Sequence, residues 1–282
     1  MRSPIVRPSL KIALLAPLLL ALAACSFFHR GETKGNPGDS LPVDKLYDLA
    51  TTRLKNGNYG NAEQLYQRLI ARFPYGDYNE QAQLDLAYAY YKDDKADEAY
   101  SAINRFIKTY PAQKHIDYAY YLRGLINFDR TGTMLERVSQ RSASRRDQGY
   151  ALQSFDDFSQ LVQRFPTSRY AADARQRMIW LRNGLAQFEL NVAEYYLRRK
   201  AYVASADRAE YIVEHYQRSP QVADALAVLA KSYKLLGRPQ LAGQAESVLK
   251  LNYPDHPYLR DPKGWPHTPS VLRRAIPLSG HY

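Results

Sequence analysis

The sequence predicts an all-α fold: about five helix-turn-helix units stacked in a superhelix, with one long helix linking an N-terminal group of units to a C-terminal group. The first supporting observation is self-similarity at a fixed offset of 37 residues. The run from Asn56 through Ala62, Tyr66, Leu69 and Phe73-Pro74 returns without gaps as Asp93 through Ala99, Ile103, Phe106 and Tyr110-Pro111. A further copy runs from Leu236-Gly237-Arg238 through Ala242 and Leu249 to Tyr253-Pro254. The second is chemistry at fixed places: small residues (Ala50, Ala62, Ala87, Ala99, Ala230, Ala242) recur where paired helices cross closely. A proline closes each copy because it cannot continue a helix. The third is a stripe, Ala174, Met178, Leu181, Leu185, Phe188, Val192 and Tyr195, whose spacing alternates four and three. That period predicts one uninterrupted helix over 170–199, about 45 Å long.

The elements follow in chain order. Arg2, Arg7 and Lys11 precede an apolar run over 12–24 and then Cys25, the pattern of an export signal. Such a run, broken by Pro17, rises only about 20 Å as helix, short of the ~30 Å hydrocarbon core, which argues against a permanent span. Leu22-Ala23-Ala24-Cys25 resembles the bacterial lipobox, which implies lipid on the Cys25 sulfur and cleavage before it; the other reading is an ordinary signal with an incidental cysteine. Ser26, where an aspartate resembles an inner-membrane retention signal, implies the periplasmic face of the outer membrane. Residues 25–43, rich in glycine and proline, read as a flexible tether.

The body divides into N-terminal units 1–3 over 44–166 and a long helix with units 4–5 over 167–254. First helices carry Leu46, Leu49, Ala50 and Arg53, then Gln83, Leu86, Ala87 and Tyr90, and finally Leu226, Leu229, Ala230 and Tyr233. These units resemble the tetratricopeptide repeat. In the third unit a helix over about 118–129 is followed by an insertion, 130–149, polar and without apolar period, which reads as a loop. Its arginines, Arg137, Arg141, Arg145 and Arg146, suit either a solvated surface or an anionic one. Ala193, Tyr202 and Ser205 fit a fourth unit in which Gln217 stands in place of the closing proline. Residues 255–282, with five prolines, read as a tail or surface strap.

Composition narrows the chemistry. Of 282 residues, 45% are hydrophobic and 24% charged, which excludes wholesale disorder, collagen-like and multi-span membrane architectures. The formal charge of +11 falls to +8 when Arg2, Arg7 and Lys11 leave with the signal, and one cysteine cannot form an internal disulfide. Phosphate-cradling glycine loops, paired-cysteine metal spacing and His-Glu-x-x-His are absent, and the six histidines are scattered, so no metal, cofactor or catalytic residue is predicted and the chain reads as non-enzymatic. Tyrosine is the anomaly, 24 against 9 phenylalanines, many rings that keep a polar edge.

In a tetratricopeptide array the first helix of each unit lines the concave side. Counting from the small residue places Tyr47, Leu54 and Lys55, then Leu84, Tyr88, Tyr91 and Lys92, then Tyr118, Tyr121 and Phe128 on that side, six rings and two lysines. Rings beside cations suit an extended peptide with aromatic side chains and a terminal carboxylate. The same tyrosines suit packing between neighbouring helices.

The lipobox, the five units, the insertion and the runs Arg72-Phe73-Pro74-Tyr75-Gly76, Arg164-Phe165-Pro166-Thr167-Ser168-Arg169-Tyr170 and Val192-Ala193-Glu194-Tyr195-Tyr196 together resemble the BamD (ComL) family of outer-membrane assembly lipoproteins. The resemblance covers the chain from Met1 to about Pro254. It implies a non-enzymatic scaffold whose N-terminal repeats take the C-terminal strand of unfolded barrel proteins. It further implies that the C-terminal repeats dock the periplasmic domains of the barrel subunit BamA, alongside other Bam lipoproteins, with Arg198, Arg199 and Arg208 as docking residues. A scaffold coordinating cell-wall synthesis or division shares these features. Nucleic-acid binding has only the positive charge behind it, and export argues against it.

Overall fold

The computed structural model describes residues 40–138 and 145–265. The signal, Cys25, most of the tether, Arg141 and everything after Trp265 lie outside these described residues. Ten helices form five hairpins in order: α1 (Val43–Lys55) with α2 (Tyr59–Arg72), α3 (Asp77–Lys92) with α4 (Ala96–Thr109), and α5 (Ile116–Val138) with α6 (Arg145–Arg164). Then come α7 (Ala171–Arg198) with α8 (Tyr202–His215) and α9 (Val222–Leu235) with α10 (Pro239–Asn252), followed by the single turn α11 (Pro257–Arg260).

The hairpins share a built-in reversal. Gly57, Asp94, Lys200 and Gly237 all have positive φ, between 57° and 73°, at the same position of units 1, 2, 4 and 5. The following N–H then bonds back five residues, Asn58 to Arg53, Lys95 to Tyr90, Ala201 to Tyr196 and Arg238 to Tyr233, which satisfies carbonyls left free at the helix end. Each second helix stops at an aromatic residue: Phe73, Tyr110, Phe165, Tyr216 and Tyr253 each donate their N–H to the carbonyl four residues earlier. Gln217 follows the fourth of them without disturbing this ending.

Close crossing explains the small residues. Ala50, Ala62, Ala87, Ala99, Ala193 and Ala230 are fully buried. In unit 3 the place is taken by Gly124, where a Cβ would lie 2.5 Å from Cε1 of Phe158. Units 3 and 4 carry serine on the second helix where the others carry alanine, and the hydroxyls of Ser154 and Ser205 donate to the carbonyls of Gly124 and Ala193 at 3.0 and 2.8 Å. The serine therefore closes the crossing with a hydrogen bond instead of leaving a buried hydroxyl unpaired.

Successive first helices touch, α1 on α3, α3 on α5, α5 on α7 and α7 on α9, so they form one continuous layer. Three clusters of buried side chains run along the array, and α7 carries Leu181 and Leu185 in the middle cluster and Leu190 and Ala193 in the C-terminal one. It is the predicted linking helix: 28 residues, about 42 Å.

Two expectations are corrected. The insertion 130–149 is not a loop throughout, because α5 continues to Val138 and α6 begins at Arg145. An apolar period reports which surface a helix buries and not where the helix ends, so a helix can continue without one. The tail after Asp255 begins as a folded cap: Tyr258 and Trp265 are 1% and 5% exposed. Trp265 packs edge-on against His256 and Tyr258, the Tyr258 hydroxyl donates to Glu246 at 2.8 Å, and Lys231 donates to the carbonyl of Trp265. His256 Nε2 lies 3.1 Å from Asp224, both side chains buried. The cap thus covers apolar side chains of α9 and α10 that the last unit of a stack leaves open.

Candidate functional site

The layer of first helices carries a band of half-buried rings. Tyr47 on α1 lies 5.4 Å from Tyr78 and 6.1 Å from Tyr66, and Tyr88 and Tyr91 on α3 lie 6.2 Å apart. On α5, Tyr118 and Tyr121 both meet Tyr170 just ahead of α7, at 5.4 Å tilted and 4.7 Å stacked. Phe128 meets Trp180 at 4.9 Å, and the guanidinium of Arg177 sits 4.6 Å over the Phe128 ring. Helical spacing makes this band, since residues three, four and seven apart on one helix share a face.

Carboxylates hold the rings in place from the next first helix along. Tyr47 donates to Asp85 at 2.7 Å, Tyr91 donates to Asp129, and Tyr121 donates to Asp173 at 2.6 Å. Asp173 also receives Arg177 Nε at 2.6 Å, and Asp85 receives the Gln81 amide at 2.9 Å. Burial, reinforced by these carboxylates, pushes the Tyr47 and Tyr91 hydroxyls well above the usual tyrosine range and Tyr121 up to about 12. Tyr118, deeply placed with Tyr88, Tyr170, Asp85 and Tyr91 around it, is shifted upward further, chiefly by burial. Desolvation also raises the Asp85 carboxyl against the hydrogen bonds that favour its charge. The Tyr47, Tyr91 and Tyr121 hydroxyls are therefore fixed donors, and the band presents rings beside carboxylate acceptors.

The predicted residues fall in three groups. Tyr47, Tyr88, Tyr91, Tyr118, Tyr121 and Phe128 share the band, whereas Leu84 is 1% exposed and belongs to the core, and Leu54 packs against the core around Leu46. Lys55 and Lys92 are the last residues of α1 and α3 and are exposed, which puts them at the rim. Arg198 pairs with Glu194 at 3.6 Å, Arg199 bonds the Tyr195 hydroxyl at 3.3 Å, and Arg208 pairs with Glu189 at 3.0 Å. Arg198 and Arg199 thus sit at the end of α7 and Arg208 within α8. Beside that end lies a shallow hollow of about 440 Å³ lined by Lys200, Tyr202, Val203, Asp207 and Leu236.

Sequence reasoning missed Asp85, Asp129, Asp173, Tyr170, Arg177 and Trp180. A signal for two of them exists: Asp85 and Asp129 each lie 38 residues after their tyrosine, one repeat and one residue on. Among the described residues no group of three or more histidines, cysteines or acids is placed to hold a metal, and no helix is long and apolar enough to cross a membrane.

The family described as YfiO, outer membrane lipoprotein, matches residues 39–249. The chain belongs to this family. A relative from Xylella fastidiosa (strain Temecula1), named outer membrane protein assembly factor BamD, is 48% identical, over 95% of this chain and 91% of its own. One of the same name from Neisseria meningitidis serogroup B is 42% identical, over 89% of this chain and 94% of its own. Among solved structures, the type IV pilus biogenesis factor PilW aligns over 77% of this chain and 96% of its own, at 20% identity and a TM-score of 0.35. The matched residues span units 1–4, most of unit 5 and the layer of first helices that carries the rings.

Proposed function

We propose that this protein is a non-enzymatic scaffold of outer-membrane protein assembly, held at the periplasmic face of the outer membrane by lipid on Cys25. Its N-terminal units hold the C-terminal strand of unfolded β-barrel proteins, and its C-terminal units dock the periplasmic domains of the barrel subunit BamA. The observation that carries the client reading is the band itself: half-buried rings on three successive first helices, with the hydroxyls of Tyr47, Tyr91 and Tyr121 pinned by carboxylates. An extended strand with aromatic side chains matches such a surface by stacking, and the pinned hydroxyls keep it rigid, which lowers the entropy cost of binding. Unfolded barrel precursors expose unpaired strand edges that aggregate, so holding one terminal strand is useful without any energy source. Family membership and the name carried by the relatives support the assembly role.

The test replaces Tyr88 and Tyr91 with alanine and measures binding of a labelled C-terminal client strand together with helical circular dichroism. The reading expects binding to weaken roughly tenfold or more, since stacked rings each contribute about 0.5–1.5 kcal/mol beyond burial, with helicity retained. Unchanged affinity, or loss of helicity at ambient temperature, contradicts it. For the docking half, the detergent-solubilised protein should bring BamA with it from the envelope, and absence of BamA overturns that part.

A further inference from the structure

The band is aromatic, and its charge is opposite to the one an anionic chain end needs. Asp85, Asp129 and Asp173 come from three successive first helices and are spaced along the rings, each fixed by a tyrosine hydroxyl. Among the described residues, Asp173 is the one of the three with an arginine paired to it, and that cation is instructive. The Arg177 guanidinium lies flat over Phe128 at 4.6 Å with Nε 2.6 Å from Asp173 and Trp180 behind the ring. The wall thus already holds one of its own cations between a ring face and a carboxylate. One unit further toward the N-terminus the same ingredients recur without a paired lysine or arginine, Arg177 acting on the Tyr91 hydroxyl and His115 on Asp85 only through space. Tyr88, Tyr91 and Tyr118 stand near Asp85 and Asp129, and among the described residues neither acid has a lysine or arginine within ion-pair distance. Lys55 and Lys92 are at the exposed rim. Carboxylates with no lysine or arginine paired to them, one of them partly desolvated, beside half-buried rings favour an incoming ammonium or guanidinium, by charge and by the ring quadrupole together.

We propose that this part of the band reads a cationic side chain of the client strand, a lysine or arginine adjoining its terminal aromatic residue, seated over Tyr88, Tyr91 and Tyr118 with its charge against Asp85 and Asp129. The proposal rests on the client-strand reading above and adds to it a chemical preference. A strand carrying an acid at that position meets two carboxylates and is disfavoured, so the same residues select and reject.

The experiment uses the detergent-solubilised full-length protein and three fluorescent peptides of one client strand, ending Tyr-Lys-Phe, Tyr-Gln-Phe and Tyr-Glu-Phe. Anisotropy titrations should give the lysine peptide an affinity about five- to tenfold above the glutamine peptide, with the glutamate peptide weakest. The lysine advantage should fall below about twofold in Asp85→Asn/Asp129→Asn, and in Asp129→Asn alone should be reduced; asparagine keeps an oxygen to accept from the Tyr91 hydroxyl, so the ring stays held while the charge is lost. Raising the salt from 50 to 500 mM should erode the advantage in the wild-type protein only. Equal affinity for the lysine and glutamine peptides, or an advantage that survives in both variants, overturns the proposal and leaves the client reading standing. Failure of all three peptides to bind overturns both.

Discussion

Asp85 sits where stability and binding pull in opposite directions. Its carboxylate orders Tyr47, yet burial raises its pKa, so the ionised form costs folding free energy at neutral pH. The sign is definite: a carboxyl whose folded pKa lies above its unfolded value stabilises the fold at low pH, and that contribution is lost as pH rises through the folded value. Asp85→Asn keeps an oxygen for the Tyr47 hydroxyl, its amide can donate to a flipped Gln81 side chain, and the charge is removed, so thermal unfolding at pH 7 should shift upward by about 1–3 °C, with no shift at pH 3.5. A destabilised variant at pH 7 contradicts the assignment. Gly124 is constrained by sterics alone: Gly124→Ala drives a Cβ into the Phe158 ring and should cost about 2–4 kcal/mol in urea unfolding, whereas the exposed Gly243→Ala in α10, with open space around its Cα, should cost nothing or stabilise. Of these residues the tyrosines were legible in the sequence, because the repeat register places them. The carboxylates are harder to read, because each belongs to the next unit's helix: the 38-residue spacing marks Asp85 and Asp129 only once the pairing across units is known.

The hairpin turns show how much of an element a sequence reveals. Gly57 and Gly237 mark left-handed positions openly, but Asp94 and Lys200 hold the same conformation with a Cβ, at φ of 57° and 62°. The left-handed region costs a non-glycine residue about 1 kcal/mol, so Lys200→Gly should stabilise units 4 and 5 by roughly 0.5–1 kcal/mol; a destabilisation there would mean the turn is held by side-chain contacts instead. The second-helix ends were legible from their aromatic-proline pairs, and even Gln217 did not hide the fourth, because the backbone ends at the ring and not at the proline. The insertion was misread for a physical reason already visible in α5. Apolar period tracks the surface a helix buries, and past Thr131 the period no longer reports where the helix stops. The linking helix was legible because its stripe serves two cores in succession and never lapses.

At the scale of the whole molecule, a stack has two open ends, and here the C-terminal end is closed by the chain itself through His256, Tyr258 and Trp265. Trp265→Ala should therefore cost about 3–5 kcal/mol locally and bring the protection of α9 and α10 against hydrogen exchange down while leaving that of α1–α4 unchanged. A uniform loss over all helices would show that the array unfolds as one unit. This closure escaped the sequence because a proline-rich segment with scattered aromatics has no periodicity, and burial came from a fit to α9 and α10 that only the assembled fold supplies. The five-unit stack, by contrast, is dictated by nearest-neighbour contacts and so is written into the local repeat. The claim on which the functional account turns is that a client's terminal strand lies along the first helices of the N-terminal units. The most direct measurement places a photoactivatable phenylalanine analogue at the last aromatic position of a client strand and maps its cross-links to the full-length protein by mass spectrometry. The account predicts cross-links on α3, α5 and the first half of α7; cross-links confined to α8–α10, or spread evenly over the outer helices, would contradict it.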